Sequence, residues 1–155
     1  MSCDEFRDNR HVRVVVQRVQ RAAVKVDGAV VAACDPGLLV LLGIAADDTE
    51  AQTDRMAARV ARLRVFENDG GKLDLAVTDV DGEVLVVSQF TLIADSRKGN
   101  RPSFAGAARP EVAEPLYERF CGALRADGLR VATGRFGARM EIELVNDGPV
   151  TIVLE

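Results

Sequence analysis

Leu38–Ala45 is the stretch that most limits what this chain can become. Its eight residues, Leu-Leu-Val-Leu-Leu-Gly-Ile-Ala, carry no polar side chain. The run falls well short of the ~20 apolar residues of a membrane span. It reads as a central strand buried on both faces. Val84-Leu85-Val86-Val87 reads the same way. Strands of this kind need apolar cover above and below, so the core must be layered. Flanking segments supply the layers. Val12–Val19 is a β-branched strand, and Ala22–Val26 and Ala29–Ala33 flank Asp27-Gly28, a strong hairpin signal. Asp35-Pro36-Gly37 is a second turn.

Two segments have helical periodicity. Thr49-Glu50-Ala51-Gln52 matches a capping box, and Met56, Val60 and Leu63 follow at spacings of four and three. Arg55, Arg59 and Arg62 make a basic stripe on the same segment, read as a solvated face in preference to an RNA contact. Pro110 suits the first turn of a second helix, with Val112, Leu116, Phe120 and Leu124 as its stripe. Pro115 falls early enough to be tolerated, and Gly128 is a good terminator. Arg64–Phe66 reads as a short strand and Asn68-Asp69-Gly70-Gly71 as a turn. Glu83–Thr91, Leu129–Ala132, Met140–Val145 and Val150–Leu154 complete the strands. The order is strands, helix, strands, helix, strands. The expected class is α/β of the α+β type: mixed β-sheets forming a barrel-like layered core, with two main helices packed on one side.

At 155 residues, 48% apolar and 28% charged, the chain is globular and long enough for one domain. Residues 1–11 are polar and read as a loose extension; residues 12–155 form the domain. A chain starting at residue 12 is expected to keep stability and activity, because an upstream start codon would explain the extension. The N-terminus lacks a signal peptide's apolar segment. Cys3, Cys34 and Cys121 are few, odd in number and far apart, which fits a reducing cytoplasm and argues against disulfides or a zinc site. The lone histidine, His11, sits in the polar extension, so histidine-based catalysis is not expected. No metal, cofactor or membrane partner is implied. A net charge of −4 weighs against broad nucleic-acid binding.

The remaining candidates for chemistry are hydroxyls and turns. Ser88, Gln89 and Thr91 directly follow four apolar residues, a common way to place functional groups at a sheet's rim. Ala94–Arg109 is a long irregular stretch, locally basic, containing Arg101-Pro102-Ser103-Phe104. Asn146-Asp147-Gly148-Pro149-Val150-Thr151 separates two apolar runs near the C-terminus. Glycine before proline opens backbone angles closed to other residues and can aim two carbonyl oxygens in one direction.

Gln17-Arg18, Ser88-Gln89-Phe90-Thr91-Leu92, Arg101-Pro102-Ser103-Phe104 and Asn146–Thr151 stand in one order. In that order, and from Val12 to Glu155, the chain resembles the D-aminoacyl-tRNA deacylases. One departure is Arg139, where that family usually carries an acidic residue. The resemblance implies a cytoplasmic hydrolase of the ester in D-aminoacyl-tRNA, acting in proofreading and translation quality control. It implies a homodimer with active sites at its interface. Gly148 and Pro149 would form a Gly-cisPro motif entering the partner's pocket, held in orientation by Arg18. Ser88, Gln89, Phe90 and Thr91 would line that pocket as the catalytic segment. Ser103, Phe104 and Met140 would border the aminoacyl group or the terminal adenosine.

That arrangement makes physical sense. D side chains vary, so attraction for them discriminates poorly. Rigid carbonyls near the substrate's Cα discriminate by leaving no room for an L side chain. A 10⁴-fold rejection needs about 5.5 kcal/mol, within reach of a clash plus a lost hydrogen bond. Glycyl-tRNA should then not be rejected. Backbone N–H groups near Phe90–Thr91 would stabilise the oxyanion. Water activation falls to Thr91 or to the substrate's 2′-hydroxyl, and the lack of a usable histidine favours the RNA hydroxyl. Two other classes compete: a non-catalytic nucleic-acid-binding dimer using the 97–109 loop, and a general small-ester hydrolase.

Overall fold

The computed structural model describes residues 11–155. The expected N-terminal extension falls almost wholly outside the described residues, and His11, its last residue, is exposed. The elements are β1 (Arg13–Val26), β2 (Ala29–Cys34), β3 (Gly37–Gly43), α1 (Glu50–Arg62), β4 (Phe66–Glu67), β5 (Leu73–Leu75), β6 (Glu83–Ser88), α2 (Pro110–Ala126), β7 (Arg130–Thr133) and β8 (Glu141–Leu154). A 3₁₀ turn, Phe90–Ile93, follows β6.

The main sheet runs β2-β1-β3-β6-β7, with β8 paired to β1. It is mixed: β3–β6 and β6–β7 are parallel, and the three pairings of β1 are antiparallel. The two parallel crossovers carry α1 and α2. Both helices pack on one face, where Met56, Val60, Leu116, Phe120 and Leu124 meet Leu38, Val40, Leu42, Val84 and Val86. The alternate residues, Leu39, Leu85 and Val87, face a second cluster with Val19, Val24, Met140, Ile142 and Leu144. The unbroken apolar runs of β3 and β6 therefore have cover on both faces, and the strongly bent sheet is nearly closed.

Local chemistry explains the joints. Asp27 (φ 51°) and Gly28 (φ 80°) both take positive φ, as the two-residue β1–β2 hairpin requires. Thr49 caps α1 reciprocally with Gln52. Pro110 opens α2, and Gly128 (φ 86°) follows it.

Several boundaries differ from the sequence reading. Val12–Val19 and Ala22–Val26 are one strand, because β8 runs along its whole length. The polar pair Gln20-Arg21 marks not a turn but the point where the other edge of β1 passes from β3 to β2. Met140–Val145 and Val150–Leu154 likewise belong to one strand, β8. The short strand near residue 65 is shifted to Phe66–Glu67, because the Val65 carbonyl is taken by a guanidinium. Val112 is exposed, and Ala113 and Tyr117 take its place on the buried face of α2. Thr91 is not on a strand: β6 ends at Ser88 and the chain turns back over Gly43. A Cβ on Gly43 would lie 2.9 Å from Leu92 Cβ and 3.1 Å from the Gln89 carbonyl, so only glycine allows that approach.

Candidate active site

The parallel strands β3, β6 and β7 end on the same side, where open sheets with crossover helices usually hold ligands. A cavity of about 540 Å³ lies there, in the range of small-molecule sites. Ser88, Gln89 and Phe90 form one wall, Phe104 and the first turn of α2 another, and Phe136, Gly137, Ala138 and Met140 a third. Phe90 and Phe104 meet edge to face, with ring centres 5.1 Å apart. Both rings are exposed, so an apolar platform stands open at the mouth.

The floor is rigid. Tyr117 donates its hydroxyl to the Val86 carbonyl at 3.0 Å and packs on Phe136. Burial pushes the Tyr117 hydroxyl well above its usual range and the Cys121 thiol up to about 11, so both stay neutral. Gln89 N donates to the Leu42 carbonyl at 2.8 Å, anchoring the Ser88–Thr91 segment to β3. The Gln89 side-chain amide donates to the Thr91 hydroxyl. The amides of Phe90 and Thr91 begin the 3₁₀ turn, and the first N–H groups of a helical turn have no acceptor within it. The loop over residues 94–109 is closed at its base by Asp95 and Ser103, which exchange backbone bonds of 2.8 and 2.7 Å. Arg97 holds the Asp95 carboxyl down to about 2 through its side chain and its backbone amide.

The chemical inventory of this pocket is narrow. Its lining contains no histidine, carboxylate, cysteine or lysine; Arg109 is its one charged side chain. Among the described residues, the protein therefore offers no general base inside its own cavity. It offers hydroxyl, carboxamide and backbone groups, all suited to positioning and to stabilising an oxyanion.

A second constellation lies on the β1–β8 pair. Val19 is paired with Asn146 and Gln17 with Thr151, so Asp147–Val150 stand as four residues against Arg18 alone. Gly148 and Pro149 are exposed, and the bond between them is cis. Gly148 has φ +125°, a region L side chains avoid, and an added Cβ would lie 2.9 Å from Arg18 Nη2 and 3.0 Å from Val150 Cγ2. The neck is tied by one side chain: Asn146 Oδ1 accepts from Val150 N at 3.2 Å, and Nδ2 donates to the Thr151 hydroxyl at 3.1 Å. Gln17 Nε2 donates to that same hydroxyl.

Arg18 holds the bulge from beneath. It is only 5% exposed. Its Nη1 donates to the Val65 carbonyl at 2.9 Å and its Nε to the Asp147 carbonyl at 3.1 Å. Glu67 and the Asp147 carboxylate, 3.5 and 3.4 Å away, balance its charge. Burying a guanidinium requires such partners.

Of the residues singled out from sequence, Ser88, Gln89, Phe90, Phe104 and Met140 line the cavity. Thr91 adjoins them through Gln89. Ser103 sits at the loop base, its hydroxyl accepting from Ala105 N. Gly148 and Pro149 sit in the bulge and Arg18 beneath it, and none of the three lines the cavity of the same chain. Arg139 is exposed, with no ion-pair partner among the described residues. Arg109, the last residue of the basic loop read from sequence, also lines the cavity; sequence reasoning missed Ala113, Phe136 and the tie made by Asn146. The Asn-x-x-x-Val spacing around Gly-Pro was a usable sign of that tie; the cavity walls give no local sign.

Comparison with known proteins follows the same outline. Residues 15–155 match the family model described as D-Tyr-tRNA(Tyr) deacylase. A D-aminoacyl-tRNA deacylase of Anaeromyxobacter dehalogenans is 60% identical over 144 residues, covering 93% of this chain and 97% of that protein. One of Deinococcus radiodurans is 56% identical over 144 residues, covering 93% and 99%. A solved structure described as c-Myc DNA Unwinding Element Binding Protein superposes with a TM-score of 0.87 at 44% identity, covering 92% of this chain and 97% of that one. A probable eukaryotic D-amino acid tRNA deacylase superposes at 0.81 and 20% identity, covering 92% and 98%, and shares the fold.

Proposed function

Because the chain belongs to the D-Tyr-tRNA(Tyr) deacylase family, whose members are ester hydrolases acting on aminoacyl-tRNA, we propose a site shared between two copies of it. The 147–150 bulge of one subunit enters the 540 Å³ cavity of the other. One observation carries this reading. The bulge is held by Arg18 and Asn146, faces outward, and has no partner residues in its own sheet. Backbone groups so exposed are solvated by water in the single chain and are free of strand partners, so they can be taken up by a ligand or a second copy.

In the shared site, the bulge carbonyls hold the substrate ammonium and exclude an L side chain. Glycine presents only hydrogen there, so glycyl-tRNA is also a substrate. The terminal adenine stacks against Phe90 or Phe104. Water adds to the ester carbonyl, and the amides of Phe90 and Thr91 stabilise the oxyanion. The bond from carbonyl carbon to the ribose oxygen breaks, that oxygen takes the proton, and the amino acid and tRNA leave. Among the described residues the pocket lining contains no base, so the vicinal 2′-hydroxyl of the terminal ribose orients and activates the water. Gln89 fixes the Thr91 hydroxyl for positioning. Residues 12–155 suffice for all of this, in the cytoplasm where aminoacyl-tRNA is found.

Incubation with D-tyrosyl-, L-tyrosyl- and glycyl-tRNA tests the reading. Release from the D and glycyl esters alone is expected. Equal release from D and L esters would point to a general ester hydrolase. Binding without release would point to a nucleic-acid-binding dimer.

A further inference from the structure

The face of α1 away from the core has an unusual charge pattern. Arg55, Arg59 and Arg62 follow one another at i+4 and i+3, so they share one side of the helix. With Arg64, Leu63 and Leu154 they line a broad open groove that contains no acidic side chain. Like charges at these spacings weaken an isolated helix by a few tenths of a kcal/mol per pair. Arg59 and Arg62 regain some of that at the helix C-terminus, where cations suit the macrodipole. Arg55, near the middle of α1, does not. Arg59 donates to the Glu155 carbonyl at 2.7 Å, and Arg64 pairs with Asp74. Arg55 and Arg62 have no ion-pair partner among the described residues. In a chain of net charge −4, this is a concentrated positive strip.

Its position gives it a meaning. Arg64 precedes Val65, whose carbonyl accepts from Arg18, and Arg18 in turn holds Asp147 beside Gly148. The groove thus begins next to the bulge. We propose that it binds the phosphate backbone of the acceptor arm of a tRNA whose aminoacyl end lies in the partner subunit's cavity. This rests on the shared-site reading. A bulge inserted in the partner's cavity brings the arginine strip to that cavity's rim, where the RNA attached to the ester must leave. Three guanidiniums over about 10 Å of helix, at 1.5 Å per residue, match a run of phosphates.

Fluorescence anisotropy with uncharged tRNA, titrated over salt, tests it. R55Q/R62Q is expected to bind several-fold more weakly than wild type and to show a shallower dependence of log K on log salt, by about one to two. R55K/R62K should restore both. A control, R125Q/R130Q, removes two charges from the opposite end of α2 and β7 and should change binding little. Thermal melting checks that each variant is folded. Equal losses in both neutralised pairs mean bulk charge only, and unchanged binding in R55Q/R62Q means no contact; either overturns the proposal. Hydrolysis of D-tyrosyl-adenosine by wild type is measured alongside. That substrate lacks the acceptor arm, so its failure would count against the catalytic reading and leave the binding result to decide the groove.

Discussion

Replacing Arg18 with alanine tests whether the bulge is a held element or an incidental loop. The side chain is buried and its two short bonds go to carbonyls, Val65 at 2.9 Å and Asp147 at 3.1 Å. Hydrogen bonds from a charged group contribute about 1.5–3 kcal/mol each. The carboxylates of Glu67 and Asp147 are about half exposed, at 54% and 43%, so their pairing adds little beyond screening the charge. Water entering the vacated space recovers part of the loss, which leaves about 3 kcal/mol. For a domain of this size that corresponds to a fall in Tm of about 6–12 °C. Arg18→Lys keeps the charge but reaches one carbonyl instead of two, so about half the loss is expected. Deacylation, measured far below either Tm, should fall much more than the folded fraction does, because the bulge loses its orientation. An Arg18→Ala protein melting within a degree or two of wild type with full activity would refute the reasoning.

Three further outcomes follow from the pocket and the chain's start. Thr91→Ala removes the acceptor of the Gln89 amide and should lower kcat/KM about tenfold, the effect of one hydrogen bond of about 1.4 kcal/mol; a 2′-deoxy terminal adenosine should be at least as damaging, and the reverse order would make Thr91 the essential group. Among the described residues the pocket has no titratable side chain besides Arg109, and burial pushes the nearby Cys121 thiol up to about 11; kcat/KM should therefore show no protein-derived limb between about pH 5.5 and 7, where a histidine base would titrate. A protein beginning at residue 12 should melt within a few degrees of the full chain, since Val12 N can still donate to Asp48 Oδ1, now 3.0 Å away; a much lower Tm would show that residues 1–11 are part of the fold.

The layered sheet was legible because its signals are local. Unbroken apolar runs marked β3 and β6, Asp27-Gly28 marked a hairpin, and Thr49-Gln52 marked the start of α1. Element ends were less legible because tertiary pairing sets them. The extended Gln20-Arg21 in β1 depends on β8, and the turn of Phe90–Ile93 depends on the bare surface of Gly43. The wall of the cavity from Ser88 to Phe90 could be read from polar residues ending an apolar strand. Ala113 and Phe136 could not, since a packed alanine and a loop phenylalanine look the same in any core. The separation of Gly148-Pro149 from its own cavity is a fact of three dimensions.

Complementation between two inactive subunits tests the shared site most directly. Gly148→Ala places a Cβ 2.9 Å from Arg18 Nη2 at φ +125°, a strain of about 1–3 kcal/mol that displaces the bulge. Ala138→Trp fills the cavity from a wall loop and leaves the bulge untouched. Each variant alone should hydrolyse D-tyrosyl-tRNA poorly. Co-expressed with different affinity tags and purified as the mixed pair, they join the open cavity of one to the intact bulge of the other. One of the two symmetric sites is then whole, and about half of wild-type activity is expected. A mixed dimer as inactive as its parents would contradict the account.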